Sequence, residues 1–183
     1  MEQRRVVLDR DEIERSVTRL AHEVLETNTD RSRLRLVGIQ RRGAVLASRL
    51  AGRMAGISGE HVPVGLLDIG FYRDDLGTRP DAPHVYATEI EFEVEGAEVV
   101  IVDDVLYTGR TVRAAIDAIF GYGRPDRIQL AVLADRGHRQ LPIRPDFVGK
   151  NLPTAPDERV YVRVDEVDGI EQVEIGEAQE QAA

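Results

Sequence analysis

Apolar residues recur along this chain with periods that separate helix from strand. Over residues 9–27, Ile13, Val17, Leu20 and Val24 repeat at spacings of four, three and four, which puts them on one face of a helix. Asp9, with Glu12 three residues later, makes a capping pair at its start. Arg15, Thr18, Arg19 and His22 share the opposite strip. Residues 34–39, LRLVGI, read as a short buried strand, followed by a loop over Gln40–Gly43 and a helix over 43–56. Another strand is expected over 62–72, then a polar loop of 12 residues, 73–84, with two prolines and a glycine. Residues 87–96, ATEIEFEVEG, alternate strictly and predict a half-exposed strand. Residues 98–120 read as strand, loop and helix, and 127–135 as a further core strand. An irregular stretch with a short strand near Phe147 follows, then a last strand over 159–167 and a frayed tail over 174–183. Strands alternating with helices of this length predict an α/β domain with a mostly parallel sheet.

With 183 residues and 42% hydrophobic content, the chain is expected to form a single globular domain over 1–183. No apolar run approaches the roughly 20 residues of a membrane helix, and the start has no apolar segment of a signal peptide. There is no cysteine, which removes disulfides, thiolate zinc sites and cysteine nucleophiles and fits a cytoplasmic protein.

A net charge of −9 argues at first against a nucleic-acid partner. Its distribution argues otherwise. Residues 86–104 and 165–183 hold seven acids each and no base, and removing those fourteen leaves the rest of the chain at +5. Residues 31–59 hold seven arginines and no acid. Only one of the 24 basic residues is a lysine, Lys150, a bias that genome composition explains.

The most informative segment is VVIVDDVLYTGRT, residues 99–111. Its β-branched run predicts a strand buried on both faces, and Asp103 and Asp104 stand at that strand's carboxyl end, where open α/β sheets bind ligands. Two adjacent carboxylates call for a cation or for donors such as sugar hydroxyls. Gly109 lets backbone approach a ligand, Thr108 and Thr111 supply hydroxyls, and the amides at the following helix N-terminus favour a phosphate. The local chemistry therefore suits a ribose 5-phosphate.

This segment resembles the PRPP-binding motif of type I phosphoribosyltransferases. LDIGFYRDDL, VVIVDDVLYTGRTVRAAIDAI, IQLAVLADRGHRQLPIRPDFVGKN and TRLAHE together resemble the PyrR family, the bacterial pyrimidine-operon regulators that also act as uracil phosphoribosyltransferases. The resemblance spans nearly all of residues 5–170 and is weakest over 74–90 and in the tail. It implies the type I fold, a mostly parallel central sheet flanked by helices with a small hood. That hood would come from about 136–155 with the N-terminal segment, beside a flexible loop over about 72–88 and an acidic tail over about 172–183.

Carried over by position, the resemblance gives Asp103 and Asp104 the ribose hydroxyls. It gives Thr108, Gly109, Arg110 and Thr111 the 5′-phosphate, with Val105, Leu106 and Tyr107 completing the nucleotide site. Arg41, Arg42 and Gly43 take the pyrophosphate, in a loop that in this family commonly contains a cis non-proline peptide. Arg41 stands where the family usually has Thr. Arg73, in the loop Tyr72–Asp75, is expected to close over the site and meet pyrophosphate, so Asp103, Asp104, Arg42 and Arg73 are the expected catalytic set. Purine-specific relatives place an acid where this chain has Tyr107, which favours a pyrimidine. Arg136 and Gly137 are the candidates near the base. Mg²⁺ is expected, bound mainly through PRPP near Asp103 and Asp104.

The reaction implied is uracil plus PRPP giving UMP plus pyrophosphate. The family also binds its operon's leader mRNA in the presence of UMP or UTP. The matching positions are Thr18, Arg19 and His22 on the first helix, with His138, Arg139, Arg144 and Lys150 further on. Gln140 and Pro145 depart from the usual Glu and Ala there. The alternatives are an RNA-binding, nucleotide-sensing regulator with vestigial activity, or a phosphoribosyltransferase for another base such as hypoxanthine. The family forms homodimers and larger assemblies, and the alternating Ile90, Phe92 and Val94 permit an interface. Neither membrane nor DNA is an expected partner.

Overall fold

A computed structural model of the chain describes residues 4–70 and 87–177. The expected loop residues Tyr72, Arg73, Asp74 and Asp75 lie outside the described residues, as does the end of the tail.

The first helix, α1 (Arg10–Thr27), starts where the capping pair predicts. The Asp9 carboxylate accepts the Glu12 amide at 2.8 Å, and the Glu12 carboxylate accepts the Asp9 amide at 3.0 Å. Ile13, Val17, Leu20 and Val24 are buried, as their spacing requires. Ahead of α1 lies a strand that the sequence pattern does not announce, β1 (Arg5–Leu8).

Five parallel strands make the central sheet: β2 (Leu34–Ile39), β3 (Val64–Leu67), β4 (Glu98–Leu106), β5 (Arg127–Asp135) and β6 (Phe147–Asn151), in the order β3-β2-β4-β5-β6. The register places Val37 beside Ile101 and Ile101 beside Leu130. The helices α2 (Arg42–Ser58) and α3 (Arg110–Phe120) follow β2 and β4. One apolar cluster joins Val100, Val102, Ala131 and Leu133 to α1 and α2, and a second joins Val99, Ile101, Leu130 and Val132 to α3. Both faces of β4 are thereby buried, which explains its continuous β-branched run.

A second, antiparallel sheet has the order β1-β8-β7, with β7 (Glu158–Arg163) and β8 (Gln172–Glu177) joined by the short helix α4 (Asp165–Asp168). In it the N-terminal strand pairs with residues 172–177, while β6, inside 136–155, belongs to the central sheet. This pairing corrects the tail, because Val173 and Ile175 alternate inward and are buried between β1 and β7.

Two further expectations change. The strand over 62–72 is confined to β3 among the described residues. Among the described residues the alternating segment 87–96 forms no ladder, and its backbone bridges to the sheet at Glu89 with Leu66. Its alternation has another cause: Ile90, Phe92 and Val94 pack on the core over α3's face of the sheet. A Cβ on Gly65 would meet Ile90 and Phe92 at 3.1 Å. These apolar residues serve the chain's own core.

Candidate active site

The site forms where β2 and β4, neighbours in the sheet, both end. β2 runs into Gln40, whose amide donates to the Leu67 carbonyl at 2.9 Å, and the Gln40–Arg41 peptide is cis. Helix α2 then begins at once with Arg42 and Gly43. A Cβ on Gly43 would sit 2.5 Å from the Val102 carbonyl oxygen and 3.3 Å from Asp103 Oδ1. Glycine therefore lets the Arg41–Gly43 turn lie directly against the acidic end of β4.

At that end Asp103 is buried, and its Oδ1 accepts the Asp104 amide at 2.9 Å. Asp104 in turn accepts the Val105 amide at 2.8 Å. Burial pushes the Asp104 carboxyl above the usual carboxylate range, opposed by the Val105 amide and by the charge of Arg42. Beyond Leu106 the chain turns through Tyr107 and Thr108 to Gly109, which caps α3 with φ 92°, a left-handed conformation that favours glycine. The first-turn amides of a helix lack partners within it. Here the Arg110 amide bonds Thr108 Oγ1 at 3.3 Å. The amides of Thr111 and Val112 follow in the same turn.

Asp103 and residues 105–112 line a cleft of about 430 Å³, and Arg136, Arg159 and Val160 line it too. The loop after β5 braces this wall from behind. The Thr108 carbonyl accepts the amides of Gln140 and Leu141 at 3.0 and 3.1 Å, and Arg110 Nε donates to Gln140 Oε1 at 2.9 Å. Arg139 holds the same loop together, donating to the carbonyls of Tyr107 and Ile143 at 3.0 Å and to Asp135 Oδ2 at 2.6 Å.

Arg136 is buried, and its guanidinium lies 3.9 Å over the Tyr107 ring. Its Nε donates to Thr154 Oγ1 at 3.3 Å, while Nη2 has no hydrogen-bond partner among the described residues. Burial also pulls its pKa below the usual value. A buried donor without an acceptor at a cleft wall is positioned to meet an acceptor on a ligand. Gly137, next to it, adopts φ 76°, and its amide donates to Asp135 Oδ1 at 2.9 Å.

Arg42 faces a carboxylate from the second sheet's connection. Its Nε and Nη2 donate to the two oxygens of Asp168 at 3.0 and 2.7 Å. That bond holds the Arg42 pKa above its ordinary value and the Asp168 carboxyl below the usual carboxylate range.

The candidate RNA positions fall into two groups. Thr18, Arg19 and His22 share the α1 groove with Glu14, Arg15, Glu23 and Glu26. Arg19 pairs with Glu23 and donates to the carbonyls of Val148 and Gly149 at 3.1 and 2.5 Å, which ties α1 to β6 beside Lys150. His138 and Arg139 lie instead against Tyr107, a cleft residue. The His138 ring makes an edge contact with Tyr107 at 6.3 Å, and its Nε2 lies 2.7 Å from the Thr154 carbonyl. Arg144 is exposed on the intervening loop. Arg159, Val160 and Asp168 were not among the sequence candidates. Their only signal was membership of an alternating strand or an acidic run.

The family model of the phosphoribosyl transferase domain matches residues 6–166. Solved structures agree in fold. A hypoxanthine phosphoribosyltransferase of Trypanosoma cruzi, a mutant in a ternary substrates complex, superposes with TM-score 0.73 at 19% identity over 97% of both chains. A hypoxanthine-guanine phosphoribosyltransferase of Bacillus anthracis gives 0.70 at 15% identity, covering 94% of this chain and 97% of that one. The fold and the cleft thus define a phosphoribosyltransferase. Among curated relatives, the bifunctional protein PyrR of Roseiflexus sp. (strain RS-1) is 61% identical over 89% of both chains. That of Pelotomaculum thermopropionicum is 60% identical over 95% of this chain and 96% of its own. The chain belongs to the PyrR family.

Proposed function

We propose that the cleft transfers the phosphoribosyl group of PRPP to uracil, and that the protein also regulates a pyrimidine operon by binding its leader mRNA in response to uridine nucleotides. The observation that carries the enzymatic reading is a cleft lined by Asp103 and by residues 105–112, up to the glycine-capped start of α3, with Arg136 stacked on Tyr107 in the same lining. Family membership supports the same reading. Likeness to the hypoxanthine enzymes is one of fold and carries no choice of base.

In the reaction the bond from uracil N1 to ribose C1′ forms as the bond from C1′ to pyrophosphate oxygen breaks, and the N1 proton is released. Asp103 and Asp104 accept hydrogen bonds from the ribose hydroxyls. The start of α3, with Thr108 and Thr111, holds the 5′-phosphate. Arg41, Arg42 and Gly43 receive the departing pyrophosphate, and Arg73, outside the described residues, is assigned to it as well. Tyr107, Arg136 and Gly137 flank the base, where the free donor of Arg136 suits a carbonyl oxygen of uracil. Little acid–base chemistry is required, so positioning supplies most of the rate.

Among the described residues no cluster of three or more His, Asp or Glu side chains could hold a metal alone. Asp103 and Asp104 offer two carboxylates, so Mg²⁺ fits there in company with PRPP oxygens, and its chemistry is to neutralise the leaving pyrophosphate. Homo-oligomeric assembly and a cytoplasmic location complete the proposal. No helix among the described residues is long and apolar enough to cross a membrane.

Purified protein with Mg²⁺ and PRPP is expected to convert uracil to UMP and to leave hypoxanthine unchanged. Unconsumed uracil with PRPP still bound would overturn the enzymatic reading. Leader RNA is expected to bind more tightly with UMP than without. Lys150→Ala is expected to reduce the salt slope of that binding by about one. Equal affinity with and without UMP removes the regulatory reading.

A further inference from the structure

An arginine that must meet pyrophosphate is useful only if its guanidinium is already aimed, because a free arginine side chain samples many rotamers and ordering it weakens binding. Arg42 opens α2 immediately after the turn that abuts Asp103, and it has no carboxylate partner on its own helix. Its partner comes from 126 residues away: Asp168, the last residue of α4.

The contact is fork to fork. Nε meets Oδ2 and Nη2 meets Oδ1, so the plane of the guanidinium is set as well as its position. Asp168 is itself fixed, since its Oδ2 also accepts the Val164 amide at 2.9 Å, and its side chain is only 9% exposed against 32% for Arg42. α4 is anchored to α2 independently. Arg49 reaches both oxygens of Glu166 and both of Glu171, at 2.6 to 2.9 Å. The buried Glu171 accepts the Asp165 amide at 3.0 Å.

From this geometry we infer that Asp168 is the positioning residue of the pyrophosphate loop, and that the connection between β7 and β8 presets Arg42 for the leaving group. The inference rests on the reading that Arg42 binds pyrophosphate. Two of the five guanidinium N–H groups bond Asp168, which leaves three for a ligand. A blocking latch would instead engage the whole fork. Asp168 touches no reacting atom, and it acts through Arg42.

The test is a cycle of Asp168→Asn, Arg42→Gln and the double variant, with kcat, KM for PRPP and for uracil, and thermal melting measured on each. Arg42→Gln is expected to weaken PRPP binding. Asp168→Asn is expected to raise KM for PRPP about fivefold to tenfold, change kcat less and leave KM for uracil unmoved, as contacting residues couple on this scale. In the Arg42→Gln background Asp168→Asn adds nothing, and Asp168→Glu restores part of the PRPP affinity. An Asp168→Asn cost that is equal in both backgrounds, or that raises both KM values with a lowered melting temperature, makes Asp168 merely structural and overturns the inference. So does a lowered KM for PRPP, which marks a latch. If Arg42→Gln alone leaves PRPP affinity unchanged, the pyrophosphate reading fails first and the inference falls with it.

Discussion

The cleft has two walls built in opposite ways. One is nearly a single run of chain, Asp103 and residues 105–112, at the end of the middle strand of the central sheet. The other is gathered from Arg136 after β5 and from Arg159 and Val160 on β7, in a sheet that joins both ends of the described chain. Their electrostatics differ in the same sense. Beside the contiguous wall, at the end of β4, Asp104 carries a carboxyl that burial raises, a cost maintained in the free protein. The second sheet's connection carries carboxyls that arginines lower, Asp168 by Arg42 and Glu166 by Arg49. The end of β4 holds ready the charge a ligand will satisfy, whereas the connection between β7 and β8 is satisfied already and holds other groups in place. The ribose and phosphate contacts therefore concentrate at the end of β4, and alignment on the connection between β7 and β8.

The sharpest way to break this division is Asp104→Asn. If the contiguous wall carries the ribose contact, turnover falls by roughly a hundredfold, the scale for removing one aimed polar group. Steady-state kinetics with uracil and PRPP decides it, and unchanged turnover removes Asp104 from the site.

The same division explains what could be read from residues alone. The contiguous wall was legible because its signals are local. A β-branched run, two acids, a glycine and two threonines within thirteen positions specify strand end, carboxylate pair and helix start without knowledge of distant chain. The first helix was legible for the same reason, through its period and its capping pair. The second wall was not. Val173 and Ile175 alternate in a stretch too short and too acidic to announce a strand, and only pairing with β1, some 170 residues away, buries them. Segment 87–96 failed in the opposite direction. Alternation there records one face pressed on a core, which requires no ladder. Asp168 looked like any acid in an acidic run until Arg42 was placed beside it.

A smaller effect probes the brace behind the contiguous wall. Arg139 was a candidate for RNA contact, yet the structure commits its guanidinium to three carbonyls and to Asp135. Arg139→Gln is expected to cost about 1.5–2 kcal/mol, since it breaks a partly buried charged hydrogen bond and leaves Asp135 poorly paired. Thermal melting reads the loss, and turnover falls with it because the Tyr107 carbonyl loses its donor. Unchanged melting with weakened RNA binding would return Arg139 to the RNA surface.

On the assembled wall Arg159 is exposed, so its contribution is smaller again. Arg159→Ala is expected to weaken UMP binding about twofold to fivefold, as solvent-screened charges do. Titration calorimetry checks it. A loss as large as that of Asp104→Asn would mean that the two walls share the chemistry equally.

The smallest effect is a difference in sign with pH, and it tests the electrostatic contrast directly. A carboxyl raised in the folded state, as at Asp104, disfavours folding while ionised, and that cost fades as pH falls through the raised value. Lowered carboxyls, as at Asp168 and Glu166, contribute stability that is fully present above the ordinary carboxylate value of about 4. That contribution is lost as pH falls through the lower folded value. Melting temperatures of Asp104→Asn and Asp168→Asn against the parent are therefore expected to deviate in opposite directions at pH 7. The Asp104 difference closes as pH falls toward about 4, and the Asp168 difference closes only below that. If both variants deviate in the same direction, Arg42 compensates Asp104 fully, and the end of β4 is as well satisfied in the free protein as the connection between β7 and β8.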